Sequence, residues 1–406
     1  FVVQKTAPIP SDRDNYPDYS ANGPWYASAP DADMPARTSK VGVASETDTP
    51  PTTLMELMAK AVEKRGDKPA LRVERPLPSS KESMPAEQWT TWTYKAYHAE
   101  VRRAAKAFVA LGMQPYESVN IWGFNAPEWA MSALAASFAG GKAAGIYPTD
   151  MPETAAYKVV HSSGSVIVVE DKAKIGRLVK ALSDRKDCKR LKAFVAYGFE
   201  PEADENVSIE GCGEVPVLSW KALLQLGDEK GSDEEVDKRV AATKPGNCAA
   251  LIYTSGTTGE PKAVMISHDN IIFESSCVMS VLGDSVGYAR SDSEERALSY
   301  LPLSHVAGFM VDIVTPVVVT ARSPAWSVIF FARANDLKDK TIRERLNAAK
   351  PTLFLGVPLV WEKVADTVRA VGAQVTGLKK NIATWAKRLG LEHAKNMQLG
   401  GSGAVP

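Results

Sequence analysis

The chain has 406 residues, 45% hydrophobic and 24% charged, an ordinary globular mix that suffices for one large domain or two smaller ones. Lysine plus arginine and aspartate plus glutamate number 48 each, so the formal net charge is zero and no global attraction to nucleic acid or an acidic surface is implied. The four cysteines, Cys188, Cys212, Cys248 and Cys277, lack CxxC or metal-ligand spacing and read as ordinary thiols of a reducing compartment.

The first residue is Phe1 rather than methionine, so the chain reads as a piece of a longer one and the lack of a leader carries no weight. Residues 1–50, rich in Pro, Ser, Asp and Ala without sustained periodicity, are expected to form a flexible or surface-hugging arm. From Thr53 the pattern changes. Leu54, Leu57, Met58, Ala61 and Val62 fall at helical spacing, with Thr52 or Thr53 as the cap. Residues 69–73 predict a strand, 76–87 a loop and 89–94 an edge strand. A helix over 97–111 carries Val101, Ala104, Ala105, Phe108 and Leu111 on one face and stops at Gly112. Strand and helix candidates then alternate through 118–122, 128–139, 142–147, 153–162, 166–170, 172–183, 191–196, 215–218 and 220–226. Strands spaced by helices of this length predict βαβ crossovers and a mostly parallel sheet.

The acidic stretch 227–240 is expected to cover the outside. Further on, the pattern predicts helices over 268–282 and 337–349, strands over 297–301, 327–331 and 352–357, and a helical run from Val306. An amphipathic helix over 358–371 has proline in its first turn, and a basic helix over 379–395 is expected to break near Gly390. The most apolar stretch, 306–321, is interrupted by Asp312 and Pro316 and is too short to span a bilayer, so a soluble protein is expected. No internal repeat is present.

The densest chemical signal lies over residues 251–270, LIYTSGTTGEPKAVMISHDN. An apolar run, 248–253, reads as a buried strand. Thr254, Ser255, Gly256, Thr257, Thr258 and Gly259 follow, with no bulky side chain among them. Such a loop lets backbone N–H groups and hydroxyls close on a polyanion. Lys262 adds a full positive charge, 263–267 reads as a returning strand, and Ser267 is placed to cap the helix from His268. A P-loop of the Walker type requires glycine before the lysine and Ser or Thr after it, whereas Pro261 and Ala263 flank Lys262. A functionless Ser/Thr/Gly hairpin explains the turn but not four hydroxyls, two glycines and a Pro-Lys within nine residues.

The stretch TSGTTGEPKAV resembles the ATP phosphate-binding signature of the adenylate-forming superfamily, which includes acyl-CoA synthetases, luciferases and peptide-synthetase adenylation domains. The family pattern has glycine where this chain has Ala263. If that position required φ > 0, alanine would cost about 1 kcal/mol or more. Other segments carry the resemblance further, from about residue 50 to the end. Gly123-Phe124-Asn125-Ala126-Pro127-Glu128-Trp129 is similar to a segment of acyl-CoA synthetases, and Tyr300-Leu301-Pro302-Leu303-Ser304-His305-Val306 to the segment bordering the acyl substrate. Phe330-Phe331-Ala332-Arg333 and Gly356-Val357-Pro358-Leu359-Val360-Trp361-Glu362-Lys363 resemble long-chain members, most closely the bubblegum type.

The resemblance implies an α/β fold, the adenylate-forming N-terminal domain with mostly parallel sheets and helices on both faces, incomplete at its C-terminal end. Residues 51–406 would form part of that domain, with the mobile C-terminal domain absent. It implies a long-chain fatty acid–CoA ligase using ATP, Mg²⁺ and coenzyme A, of cytoplasmic location with peripheral attachment to a membrane such as the endoplasmic reticulum as an option. Lys262 and the N–H groups of 256–259 would hold the β- and γ-phosphates, Thr254 and Thr257 would offer hydroxyls, and Thr254 would help ligate Mg²⁺. His305 would lie near the fatty-acid carboxylate; the alternative is a histidine that caps the next helix. Trp361 would line an acyl tunnel or sit in the core. Lys379, Lys380, Lys387 and Arg388 would touch an acidic membrane or form a solvated helix face. His98, His161, His268 and His393 are read as structural.

Gly401-Ser402-Gly403-Ala404-Val405-Pro406 resembles the family's adenine segment, but members carry more chain before that motif, so a Gly-rich surface loop upstream of it is expected. The Tyr-Gly-x-(Ser/Thr)-Glu segment, ribose-binding aspartate and adenylation lysine have no counterpart here. The chain alone is therefore expected not to complete catalysis; a truncated non-catalytic binding module, or an enzyme for another carboxylic acid, is the alternative.

Overall fold

A computed structural model describes residues 29, 31–33, 49–254, 260–398 and 400–404. The expected arm over 1–50 falls almost wholly outside the described residues. The chain divides into two units, one of residues 18–354 and one of 1–17 with 355–406, and each is taken by itself.

In the larger unit Thr53 starts α1 (Leu54–Arg65): its hydroxyl accepts from Glu56 N at 3.2 Å while the Glu56 carboxylate accepts from Thr53 N at 3.3 Å. After β1 (Pro69–Val73) and β2 (Thr90–Thr93), α2 (Tyr94–Ala110) begins three residues earlier than expected because Thr93 caps it. The predicted alternation then appears as β3 (Ser118–Trp122), α3 (Pro127–Phe138), β4 (Lys142–Ile146), α4 (Pro152–His161), β5 (Gly164–Val169), α5 (Lys172–Arg185) and β6 (Ala193–Ala196). A hairpin of β7 (Asn206–Ile209) and β8 (Gly213–Ser219) leads to α6 (Trp220–Lys230) and α7 (Asp233–Ala242). The acidic stretch is thus mostly helical, and it does cover α2: Asp233 and Asp237 meet Arg102, and Asp228 meets Arg103. Next come β9 (Cys248–Thr254), β10 (Lys262–Ser267) and α8 (His268–Val286), then β11 (Glu294–Ser299) and α9 (Val306–Phe309). One π-helical turn, Met310–Val314, joins α9 to α10 (Thr315–Arg322), and β12 (Trp326–Phe331) and α11 (Ile342–Ala349) follow.

Eight strands form one sheet in the order β10-β9-β4-β3-β5-β6-β8-β7, and four form another in the order β11-β12-β1-β2. Every pairing inside the large sheet is parallel; only the edge strands β10 and β7 run against their neighbours. Helices cover both faces, as β5 shows. Val166 and Val168 belong to the apolar cluster that holds residues of α2 and α3, whereas Ile167 and Val169 belong to the one that holds residues of α4 and α5. Strands buried on both faces read as continuous apolar runs, which is why the sequence pattern found them.

Three expectations need correction. Residues 352–357 form no strand; a single bridge pairs Leu353 with Ala297. The helix expected over 337–349 starts only at Ile342, because Asp336 accepts from Arg333 N at 2.8 Å and from Thr341 Oγ1 at 2.7 Å and holds turns there instead. Cys188 and Cys212 are not separate thiols but a disulfide, with Cα atoms 5.6 Å apart. The packing of α5 beside β7 brings the two together, a contact that sequence spacing does not reveal.

The second unit contains α12 (Pro358–Ala373) and α13 (Gly377–Gln398). α13 runs unbroken through Gly390, so the expected break is absent; a glycine in a helix weakens it by about 1 kcal/mol without ending it. The expected surface loop turns back on α13, where Gly403 O contacts His393 Nδ1 and Ala404 O accepts from Asn396 Nδ2 at 3.0 Å.

Candidate functional site

β9 and β10 pair antiparallel with Thr254 opposite Lys262, the register position that opens the loop. Ser255, Gly256, Thr257, Thr258 and Gly259 lie outside the described residues, so the structure places the two ends of the expected phosphate loop and not its span. Both ends are exposed. Thr254 Oγ1 donates to the Lys262 carbonyl at 3.4 Å, and the Lys262 ammonium meets no carboxylate among the described residues. Its acidic neighbour Glu260 leans instead toward Arg185, 4.0 Å away. Ala263 lies extended in β10 opposite Tyr253 and has no positive φ, so this backbone does not demand the glycine of the family pattern.

β9 is parallel to β4, and β4 to β3, so the carboxyl ends of all three share one edge of the sheet. In open α/β sheets that edge is where ligands bind. The segment 123–129 leaves β3 there. Gly123 has to be glycine, because a Cβ would come within 2.0 Å of the Tyr197 hydroxyl, which donates to Phe124 O at 2.8 Å. Asn125 then reaches across: its Nδ2 donates to Ser299 Oγ at 2.8 Å and to Leu301 O at 2.7 Å, while its Oδ1 accepts from Leu303 N at 3.3 Å. One buried amide therefore ties two segments that the sequence analysis singled out separately. Gly145 on β4 lets the second segment seat, since a Cβ there would lie 2.7 Å from Ser304 Cα. Ser304 Oγ is buried beside it without a hydrogen-bond partner among the described residues.

His305 is exposed and caps α9, its Nδ1 accepting from Ala307 N at 3.1 Å. An accepting Nδ1 puts the proton of a neutral ring on Nε2. The helix-capping alternative is thus what the geometry realises, and it leaves Nε2–H as a donor. Trp361 is not a core residue: its side chain is 50% exposed and Nε1 donates to Gly356 O at 2.9 Å. Phe330 and Phe331 are buried in β12, and Arg333 beyond them donates to the buried Glu74 carboxylate at 2.7 Å.

Two residues here escaped the sequence reading as site residues in their own right. Asn125 stood inside a recognised segment without an assigned role. Asp312 was counted only as an interruption of an apolar stretch. It is buried in the π turn, hydrogen-bonded to Ser299, and burial pushes its carboxyl up to about 8. π turns of this kind interrupt α-helices frequently at functional sites. Burial, with the Asp312 charge, also pushes Tyr300 up to about 12. No cluster of three or more His, Cys, Asp or Glu able to hold a metal is present among the described residues.

A family profile described as AMP-binding enzyme matches residues 58–404. The long-chain-fatty-acid–CoA ligase ACSBG2 of Gallus gallus is 36% identical over 362 residues, 89% of this chain and 43% of that protein. ACSBG2 of Homo sapiens is 32% identical over 91% of this chain and 50% of its own length, and human ACSBG1 33% over 88% and 44%. The chain spans about half the length of these relatives, or less. Among solved structures, the adenylation domain of a carboxylate reductase from Mycobacterium chelonae superposes with a TM-score of 0.61 at 18% identity, covering 84% of this chain and 51% of that one. A fatty acyl-adenylate ligase from L. pneumophila gives 0.51 at 18% identity, covering 74% and 44%. At such identities the likeness concerns the fold.

Proposed function

The chain belongs to the AMP-binding enzyme family, and from that premise we propose that it is the amino-terminal part of a long-chain fatty acid–CoA ligase. The observation that carries the reading is Lys262: an exposed cation without an ion pair among the described residues, opposite Thr254, at the carboxyl edge of a parallel sheet. A cation so placed suits a triphosphate, whose charge must be neutralised at the moment of reaction. In the proposed reaction the fatty-acid carboxylate attacks the α-phosphate of ATP and pyrophosphate leaves. The thiol of coenzyme A then displaces AMP from the acyl group.

Within this scheme Lys262 binds β- and γ-phosphate oxygens, to which the hydroxyl of Thr254 is assigned as well. Thr254 is the residue assigned to help hold a Mg²⁺ ion, which when bound would offset phosphate charge. The Nε2–H of His305 and the Ser304 hydroxyl, which has no partner among the described residues, belong to the segment assigned to the carboxylate, where they are available to hold it. Asn125 and Asp312 position that segment through Ser299. The long-chain substrate class rests on the relatives, which are named for it. The domain boundary near residue 51 and a peripheral attachment to membrane belong to the same proposal; no helix among the described residues is long and apolar enough to cross a membrane.

The test is fatty-acid-dependent exchange of labelled pyrophosphate into ATP by the full-length gene product. Palmitate-dependent exchange that disappears in Lys262→Ala supports the reading. Exchange that requires an aryl or amino acid instead moves the substrate class, and no exchange with any carboxylic acid removes the ligase assignment.

A further inference from the structure

α13 leaves an apolar stripe uncovered. Leu378, Ile382, Trp385 and Leu389 follow one another at four, three and four residues, which puts all four on one side of a helix of 3.6 residues per turn. Leu378 is 76%, Ile382 55% and Trp385 57% exposed, and no residue of α13 is buried. The stripe extends over about 16 Å at 1.5 Å per residue.

Along its first four turns the rest of the helix surface has one sign of charge, and the one acid of α13, Glu392, follows beyond them. Between 377 and 391 stand Lys379, Lys380, Lys387 and Arg388, without a single aspartate or glutamate. At about 100° per residue, Lys380 and Lys387 fall opposite the stripe, while Lys379 and Arg388 fall at its two borders. None of the four pairs with a carboxylate among the described residues. α12 makes the contrast. It too exposes an apolar row, Val364, Val368 and Val371, but its Lys363 and Arg369 are balanced by Glu362 and Asp366. Of these two helices, α13 over 377–391 combines an apolar stripe with cations alone.

A protein partner for the stripe would need neither the bordering cations nor the absence of acids. An anionic bilayer surface uses both. Apolar side chains sink among the acyl chains, tryptophan sits at the headgroup level, and bordering Lys and Arg reach phosphates while their aliphatic stems stay in hydrocarbon. We propose that α13 is a docking helix for anionic phospholipid, lying in the plane of the membrane interface with Leu378, Ile382, Trp385 and Leu389 turned into it. This deepens the membrane part of the ligase reading, on which it rests, by naming the element and the lipid class.

Vesicle co-sedimentation of the full-length gene product tests it, comparing 3:1 phosphatidylcholine–phosphatidylserine with pure phosphatidylcholine at about 0.1 M salt, where charge attraction still acts over about 10 Å. Binding is expected to the anionic vesicles only. It should weaken about 30-fold in the double variant Lys379→Gln/Arg388→Gln, at the usual contribution of each basic residue near an acidic surface. Ile382→Asp should abolish it. These positions are exposed, and far-UV circular dichroism checks that each variant keeps its helix content. Equal binding to both vesicle types, indifference to Ile382→Asp, or no binding at all overturns the proposal, and sedimentation velocity then reads whether a second copy covers the stripe. Titration of the full-length gene product with ATP keeps the two readings apart. Lost vesicle binding with retained ATP binding overturns the helix assignment alone, and the reverse overturns the ligase premise alone.

Discussion

Asp312→Asn isolates the buried acid behind the 299–305 segment. Burial pushes the Asp312 carboxyl from its ordinary 3.8 up to about 8, and the only opposing influence is a hydrogen bond from Ser299. The native state therefore holds a proton that the unfolded chain has lost across that interval. Stability contributed by the neutral form is complete below pH 4 and drains away as pH rises toward 8. Roughly four units at about 1.4 kcal/mol each put the full penalty on the order of 5 kcal/mol, with a slope near 1.4 kcal/mol per pH unit. Urea unfolding at pH 5.5, 6.5, 7.5 and 8.5, followed by far-UV circular dichroism, measures it. Asparagine keeps the shape and accepts the Ser299 hydrogen bond but cannot ionise. The stability difference between the wild type and the Asp312→Asn variant should therefore change by several kcal/mol over this range, with other titrating groups cancelling. A difference that stays constant within about 0.5 kcal/mol would refute a neutral Asp312.

His268 gives the opposite limb. It is fully buried, accepts from Leu54 N at 3.4 Å, and burial lowers it to about 4, so stability should fall by up to about 3 kcal/mol as pH drops from 6.5 to 4; His268→Gln should flatten that limb in the same urea series. Gly145→Ala places a Cβ 2.7 Å from Ser304 Cα, a backbone atom that cannot swing away, and should destabilise by about 1–3 kcal/mol; an unchanged urea midpoint would contradict the close approach. Alkylation of the urea-unfolded chain without reductant should label Cys248 and Cys277 only, and all four cysteines after reduction. Opening the 24-residue loop should then lower stability by about 3 kcal/mol.

Much of the architecture was legible because parallel strands buried on both faces announce themselves as apolar runs, 166–170 being the plainest. Caps were legible too: Thr53 and Ser267 each accept from the N–H three residues on, as the sequence predicts. What was missed depends on contacts between distant residues. Asn-Val-Ser-Ile of β7 has only two apolar residues and becomes a strand by pairing with β8. α7 hides in an acidic stretch because its one buried residue, Val236, carries no period of its own. Cys188 and Cys212 meet only once α5 packs on β7. Asp312 breaks an apolar pattern when read along the chain and is buried when read through space. The family resemblance carried by TSGTTGEPKAV is shared by the match over 58–404, whereas Ser255 to Gly259 themselves lie outside the described residues. For the site, the sequence named the segments, and only the fold could show that Asn125 joins two of them.

The central claim is that the β9–β10 hairpin holds the outer phosphates of ATP through Lys262. Calorimetric titration of the full-length gene product and of its Lys262→Ala variant with ATP and with AMP tests it most directly. A charge-assisted hydrogen bond of about 1.5–3 kcal/mol predicts ATP binding weakened at least about tenfold in the variant, with AMP binding unchanged because AMP lacks the phosphates Lys262 is assigned to hold. Equal ATP affinities for the two proteins, or equal losses for ATP and AMP, would contradict the assignment.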